Sequence, residues 1–290
     1  MSTVRFTLLF SVIFCFSGAV VAGVSNTASA DDEERRARGM AVLGSLTGQS
    51  DPRQMAAEFE ADNGALGSFA LDFVLGDIWS RPGLNKRDRN LIVLTMLATL
   101  HQTNQLSYYV PGGLNHGLTA VEIREIMTHV AAYAGFPRAL DAMTETNRIL
   151  AKLGHGPEKG KLPPAESFSN AERRERGAAV MAKLSGNPAP DPDKVITTMA
   201  GKLGPLGAYG IDFVFGEVWA RSQLSRRDRS LLVVSVLTVL GRTEELHIHV
   251  PAAIRHGVTK AELEELMLTA FAYAGAPLAV EGMHVVQELK

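Results

Sequence analysis

The sequence predicts an all-α protein made of two tandem copies of one helical domain, paired as a pseudo-dimer within a single chain. Three observations carry this reading. Asp72 to Met143 lies on Asp212 to Met283 without a gap at an offset of 140, and 31 of the 72 aligned positions are identical. Apolar residues in both copies recur at spacings of three and four. No stretch alternates apolar and polar residues between hairpin turns, so no sheet is expected. A unit this long is a tandem domain and not a solenoid repeat, whose period runs on the order of 20 to 50 residues.

The first element falls outside the fold. Arg5 is followed by an apolar run from Phe6 to about Val21 and by Ala28-Ser29-Ala30, with acidic residues starting at Asp31. Residues 1–30 therefore read as a secretory signal peptide cleaved after Ala30, and the mature chain is expected in the periplasm or outside the cell. The apolar run is shorter than the ~20 residues of a membrane span, an uncleaved anchor being the lesser reading, and later apolar stretches are broken by charge, so no stable span is expected after cleavage. Cys15 is the only cysteine and lies in this segment, after "VIF", which does not make a lipoprotein acceptor site. A mature chain without a thiol excludes disulfides, cysteine-ligated metals and cysteine redox chemistry. Losing Arg5 leaves 28 of the 29 basic residues against 31 acidic ones. That balance argues against a nucleic-acid partner, which normally meets a basic face.

The remaining chain divides into a first domain at 31–153, a linker at 154–170 rich in Gly, Pro and charge, and a second domain at 171–290. The domains hold 123 and 120 residues, enough for a core of ordinary size. "ERRARG" at Glu34–Gly39 returns as "ERRERG" at Glu172–Gly177, at an offset of 138, so a two-residue indel precedes Asp72. The segments 86–100 and 226–240 are apolar on more than one face after a charged first turn and are expected as central buried helices. Ile123, Ile126, Met127, Val130 and Ala134 form a helical stripe, repeated by Leu263, Leu266, Met267, Ala270 and Ala274. Both stripes start at a capping box, Thr119-x-x-Glu122 or Thr259-x-x-Glu262, preceded by Gly117 or Gly257 and ended by Gly135 or Gly275.

The order "DFVFGEVWAR…RRDRSLL…EELHIHVPAAIRHGVTKAELEEL…AYAGAP" resembles the carboxymuconolactone decarboxylase family, which shares an all-helical fold with the AhpD alkylhydroperoxidases. The resemblance runs once through each copy. The peroxidase branch carries Cys-x-x-Cys, a His four residues on and a Gly eight beyond it. Here the cysteine positions are Arg242 and Glu245, or Gln102 and Gln105, while His249 or Tyr109 holds the histidine position. Ser230 and Asn90 stand where that branch has an acidic residue. Thiolate is the reactive species of that reaction, so its mechanism is excluded.

The decarboxylase branch removes carbon dioxide from a carboxylated unsaturated lactone, such as 4-carboxymuconolactone, without a cofactor. That chemistry asks for a cation to hold the carboxylate, an acid to protonate carbon and an apolar enclosure. His249 is the expected proton donor, with Glu245 one helical turn earlier raising its pKa. Its counterpart Tyr109 is a poor general acid at neutral pH. His129 matches a histidine that family members often carry before "V-x-Y-x-G", and the second copy has Thr269 there. A core histidine bonded to Glu125 or to backbone is the competing reading. Since each copy lacks a different histidine, His129 and His249 belong either to one composite pocket or to two degenerating ones.

Arg81 and Arg221 close the "W(S/A)R" motif and offer the planar fork that fits a carboxylate; ion pairs with Asp88, Asp228, Asp72 or Asp212 are the alternative. Glu217, like Asp77, suits either proton transfer or a helix-packing salt bridge. Trp79, Trp219, Tyr133 and Tyr273 are expected to line the pocket, or to be plain core. His116 and His256 precede the helix-ending glycines and read as cationic caps favoured by the helix dipole. No His, Asp and Glu set has metal-site spacing, so neither a metal nor another cofactor is expected. The resemblance also implies a homo-oligomer, a trimer of pseudo-dimers, with a small-molecule substrate as partner. Two rival functions stay open: a non-catalytic binding or assembly protein that kept the fold, and an antioxidant protein acting without the Cys-x-x-Cys mechanism.

Overall fold

The computed structural model describes residues 29–157, 162–187 and 191–289. The expected signal peptide, with Cys15, lies outside the described residues except for Ser29 and Ala30. Ser29 caps the first helix, accepting from the Asp32 amide in a capping box.

Among the described residues every regular element is helical. The first repeat contains α1 (Ala30–Thr47), α2 (Arg53–Asn63), α3 (Ala65–Phe69), a π-helical segment (Ala70–Trp79), α4 (Lys86–Thr99), α5 (Leu106–Asn115), α6 (Ala120–Ala134) and α7 (Phe136–Lys152). The second repeat returns the same order as α8 (Asn170–Ser185), α9 (Pro192–Leu203), α10 (Pro205–Tyr209), a π segment (Gly210–Trp219), α11 (Arg226–Val239), α12 (Thr243–Arg255), α13 (Lys260–Ala274) and α14 (Ala276–Gln287). No described helix is long and apolar enough to cross a membrane.

The capping boxes at Thr119 and Thr259 form as the sequence predicts, and Gly117 and Gly257 take φ of 99° and 90°, a left-handed backbone open to glycine at little cost. The repeated "ERRxRG" explains itself in packing. A Cβ on Gly39 would lie 2.1 Å from the Leu71 carbonyl oxygen, and one on Gly216 would lie 2.3 Å from that of Arg173. The glycines thus let α1 and α8 touch their π segments backbone to backbone. The flanking arginines tie the same contact: Arg36 chelates Asp72 at 2.5 and 2.8 Å, and Arg173 pairs with Glu217.

Helices α4 and α11 are the buried centre, with residues such as Leu91, Ile92, Leu231 and Leu232 fully enclosed in one core that both repeats share. At their N-terminal ends the pseudo-two-fold relation is written in charge. Arg87 donates to Asp228 at 3.0 Å and to Glu122 at 2.6 Å, and Arg227 donates to Asp88 at 2.7 Å and to Glu262 at 2.5 Å. The acids of the two capping boxes therefore hold, besides their own helix starts, the arginine of their own repeat that crosses to the aspartate of the other.

Gly216→Ala should destabilise the chain by about 1–3 kcal/mol, because the added methyl meets backbone that cannot yield. Gly201→Ala, where the methyl meets nothing within 4 Å, should be neutral or stabilising, since alanine is the better helix former. Thermal denaturation of the two variants checks the contrast.

Candidate active site

Trp219, the last residue of the second π segment, is buried, and its indole Nε1 donates to the Tyr133 hydroxyl at 2.7 Å. His129, one turn before Tyr133 on α6, stacks on that phenol at 5.7 Å between centroids and meets Trp219 edge-on at 5.2 Å. His249 of α12 faces both, 5.9 Å from Tyr133 and 6.4 Å from Trp219. His256, at the end of α12, lies 6.1 Å from Trp219. One cluster thus draws His129 and Tyr133 from the first repeat and Trp219, His249 and His256 from the second.

The pseudo-symmetric cluster holds Trp79, Tyr109 and His116 from the first repeat with Tyr273 and Thr269 from the second. There Trp79 Nε1 donates to Tyr273 at 2.8 Å and the Tyr109 and Tyr273 hydroxyls meet at 2.5 Å. Each cluster joins the α6-type helix of one repeat to the α12-type region of the other. The histidines that the repeats lack, at Thr269 and Tyr109, are therefore missing from the same cluster, and both are retained in the other.

A buried arginine orders each cluster. Arg229 is wholly enclosed; its Nη1 donates to His129 Nδ1 at 2.9 Å and its Nη2 to Glu125 at 2.9 Å and to the Arg221 carbonyl at 2.8 Å. A guanidinium cannot accept, so Nδ1 must, and the neutral His129 carries its proton on Nε2. That Nε2 is buried and has no partner among the described residues. Burial, with the Arg229 charge beside it, holds the His129 pKa well below the ordinary histidine value. In the other cluster Arg89 donates instead to Thr269 at 2.7 Å and to Glu265 at 3.0 Å.

Three expectations about charge are corrected. His249 has its pKa lowered to about 4, because desolvation outweighs the raising influence of Glu245. Glu245 is exposed, so solvent screens much of its effect. His116 is also lowered to about 4, by burial and then by Lys86, and it bonds to Asn90 and, at 3.0 Å, to Ser45. His256 is lowered by burial and by Arg226 and Arg255, and its Nδ1 lies 2.8 Å from Ser230 Oγ. Both end their helices as neutral hydrogen-bonded rings, not as cationic caps.

The remaining expected residues divide between the clusters and their supports. Arg221 gives its Nε to Glu125 at 2.9 Å, and Arg81 gives its Nε to Glu265 at 2.8 Å. Each pairs across the repeats with a glutamate, not with Asp88, Asp228, Asp72 or Asp212. Glu217 is held by Arg173, while Asp77 is held by Arg35 and Arg38. Arg221 and Glu217 also line a cavity of about 350 Å³ between α6, α7 and the second π segment, closed on one side by Ala165–Phe168. None of His129, His249, Tyr133 and Trp219 lines it. Ala131 helps to keep that space open where its counterpart Phe271 packs edge-on against Phe73 at 5.8 Å. Among the described residues no three His, Cys, Asp or Glu lie together as a metal site.

Sequence reasoning passed over Arg229, Arg89 and Glu265, and it named Glu125 only as an alternative partner of His129, not as the partner of Arg229 and Arg221. Their signal was present: in both copies the same charged residue sits at the same step of a helix otherwise apolar on that side, the second Arg of "RDR" and the Glu two before Met127 or Met267.

The His129 shift carries a stability consequence. A histidine whose folded pKa lies below the unfolded value of 6.5 binds fewer protons folded than unfolded, so stability is full above that value and is lost as pH falls from about 6.5 toward the folded pKa. The melting temperature should drop between pH 7 and pH 5, and His129→Gln should flatten that slope even where it lowers the melting temperature at pH 7. An unchanged slope in the variant contradicts the assignment.

The model of the family described as "Carboxymuconolactone decarboxylase family" matches residues 65–148 and again 206–288. The chain is 30% identical over 129 residues to the 4-carboxymuconolactone decarboxylase of Acinetobacter baylyi, an alignment covering 44% of this chain and 96% of that protein. It is 33% identical over 79 residues to the nitrosuccinic acid decarboxylase npaB of Metarhizium robertsii, covering 27% of this chain and 55% of that protein. With its two matched repeats, shared helical core and paired clusters, the chain belongs to the carboxymuconolactone decarboxylase family.

Proposed function

We propose that this chain is a cofactor-free decarboxylase of a small carboxylated acid of the 4-carboxymuconolactone kind, working at the composite cluster of His129 and His249. The observation that carries the reading is the gathering of both histidines, one from each repeat, on Trp219 and Tyr133. Both relatives are named for decarboxylating an acid that bears an electron-withdrawing group, a lactone in one and a nitro group in the other. Loss of carbon dioxide from such an acid leaves an electron pair that the lactone or nitro oxygens share, until carbon takes a proton.

Each need has a candidate here. His249 is neutral in the free protein; an incoming carboxylate raises its pKa, so that the ring takes up a proton with the substrate and passes it to the carbon that lost carbon dioxide. His129, kept neutral by Arg229, offers its Nε2–H as a fixed donor to the oxygen on which charge develops. Arg221 is the substrate-carboxylate anchor, its Nη atoms having no hydrogen-bond partner among the described residues; Arg81 is its counterpart at the altered cluster. Trp219 and Tyr133 exclude water, Tyr273 and Trp79 do the same opposite, and Glu245 and Glu217 act only from the periphery.

Three further readings accompany this one. The chain is secreted through residues 1–30, which N-terminal sequencing of the mature protein tests. It assembles as a homo-oligomer of pseudo-dimers, supported by Leu66 and Phe69, and at the equivalent place Leu206 and Tyr209, which are 65–70% exposed and form apolar patches of the kind that mark contact surfaces. A non-catalytic binding protein is the second reading, favoured only by the altered cluster.

Purified residues 31–290 should deplete the absorbance of 4-carboxymuconolactone and leave hydrogen peroxide untouched; inertness toward the lactone and related acids rejects the enzyme reading. Because His249 must be protonated in the free protein or gain its proton on binding, kcat/KM should fall about tenfold per pH unit above the His249 value of about 4. A kcat/KM flat from pH 5 to 8 would show that the neutral ring does the work and remove His249 as donor. Arg221→Ala should raise KM at least tenfold if it holds the carboxylate.

A further inference from the structure

We propose that the cavity beside Tyr109 and Tyr273 is a separate binding site for an uncharged, largely apolar molecule carrying a hydrogen-bond acceptor, such as an aryl ketone. The site is distinct from the His129–His249 cluster and does not depend on the decarboxylase reading.

The cavity encloses about 400 Å³, within the range of small-molecule sites. Its walls are mainly apolar, with Leu43, Met55, Leu71, Val74 and Leu75 among them, and both phenols line it. Counting hydrogens shows what they offer. The Trp79 N–H, the Tyr109 O–H and the Tyr273 O–H supply three hydrogens to a chain that contains two hydrogen bonds, at 2.8 and 2.5 Å. Whichever way the pair is oriented, one phenolic hydrogen stays unused within the wall. An unpaired donor in an apolar enclosure is costly, and a ligand acceptor removes that cost.

The charge of the wall selects against anions. No Lys, Arg or His lines the cavity, and Glu58 and Asp62 stand at its mouth. At the equivalent places in the second repeat, offset by 140, stand Thr198 and Lys202. The exchange of Gln105 for Glu245 runs the other way, yet the first-repeat mouth still carries two carboxylates and no cation, whereas the second carries one of each. The two carboxylates at the mouth of this cavity repel an anion. Burial pushes the Tyr109 hydroxyl up to about 12, so this phenol meets a ligand as a neutral hydrogen-bonding group.

The test uses the full mature chain with acetophenone as probe and benzoate as its anionic isostere, followed by calorimetry and saturation-transfer NMR. Acetophenone should bind, and benzoate at least tenfold more weakly at this site. Leu75→Phe, which places in the wall the residue the second repeat already has at Phe215, should abolish acetophenone binding. The double variant Tyr109→Phe/Tyr273→Phe should weaken it about tenfold while the melting temperature confirms folding. Absence of acetophenone binding, equal affinity for benzoate, or affinity indifferent to both variants would each overturn the proposal.

Discussion

Two wholly buried arginines, Arg89 and Arg229, decide how this chain is put together. Removing a guanidinium from water is costly, and each is repaid by a glutamate from the opposite repeat, Glu265 or Glu125, through bonds of 3.0 and 2.9 Å. Breaking such a pair from one side leaves an unmatched buried charge, at about 3–5 kcal/mol. Neither repeat can therefore be detached without exposing or orphaning a charge. The same arginine also sets the chemistry: by donating to His129 Nδ1 it fixes the tautomer and disfavours a second proton. Packing, charge balance and the candidate reaction meet in one side chain.

Duplication inside one chain frees the two clusters to diverge, which identical subunits in a symmetric dimer cannot do. Here the divergence is coherent. Thr269 and Tyr109 replace both histidines of one cluster, Arg89 turns its Nη1 to the Thr269 hydroxyl, and the second phenol closes a hydrogen-bonded chain with Tyr273 and Trp79. The mouth nearby turns acidic at Glu58 and Asp62. These changes make sense together as a change of ligand class, whereas simple decay would leave arginine and phenol without partners.

Much of the fold was legible before the structure. The capping boxes at Thr119 and Thr259, the glycines after them and the buried stretches at 86–100 and 226–240 are local features, and local rules found them. The π-helical register of Ala70–Trp79 and Gly210–Trp219 left no comparable mark, since one backbone step separates it from an α-helix. At the site, the candidate histidines and aromatic residues were visible as residue types, but which copy's histidine meets which was not. That depends on how two repeats dock, and periodicity carries no information on docking. The sign of the His249 shift escaped for a related reason: helical spacing puts Glu245 nearby, but only the fold shows that the carboxylate is exposed while the ring is mostly enclosed. Glu265, and the arginine partners of Glu125, were missed because a charge on an apolar stripe looks like a solvated edge until its arginine is known.

The central claim is that one working site is shared between the repeats. Turnover of 4-carboxymuconolactone by His129→Ala, His249→Ala and the double variant tests it most directly. A composite site predicts that each single substitution removes nearly all activity and that the double variant is scarcely worse, because groups acting as a unit are strongly non-additive. If instead each repeat holds its own site, each single variant keeps about half the activity and only the double variant is inactive, and the composite site is contradicted.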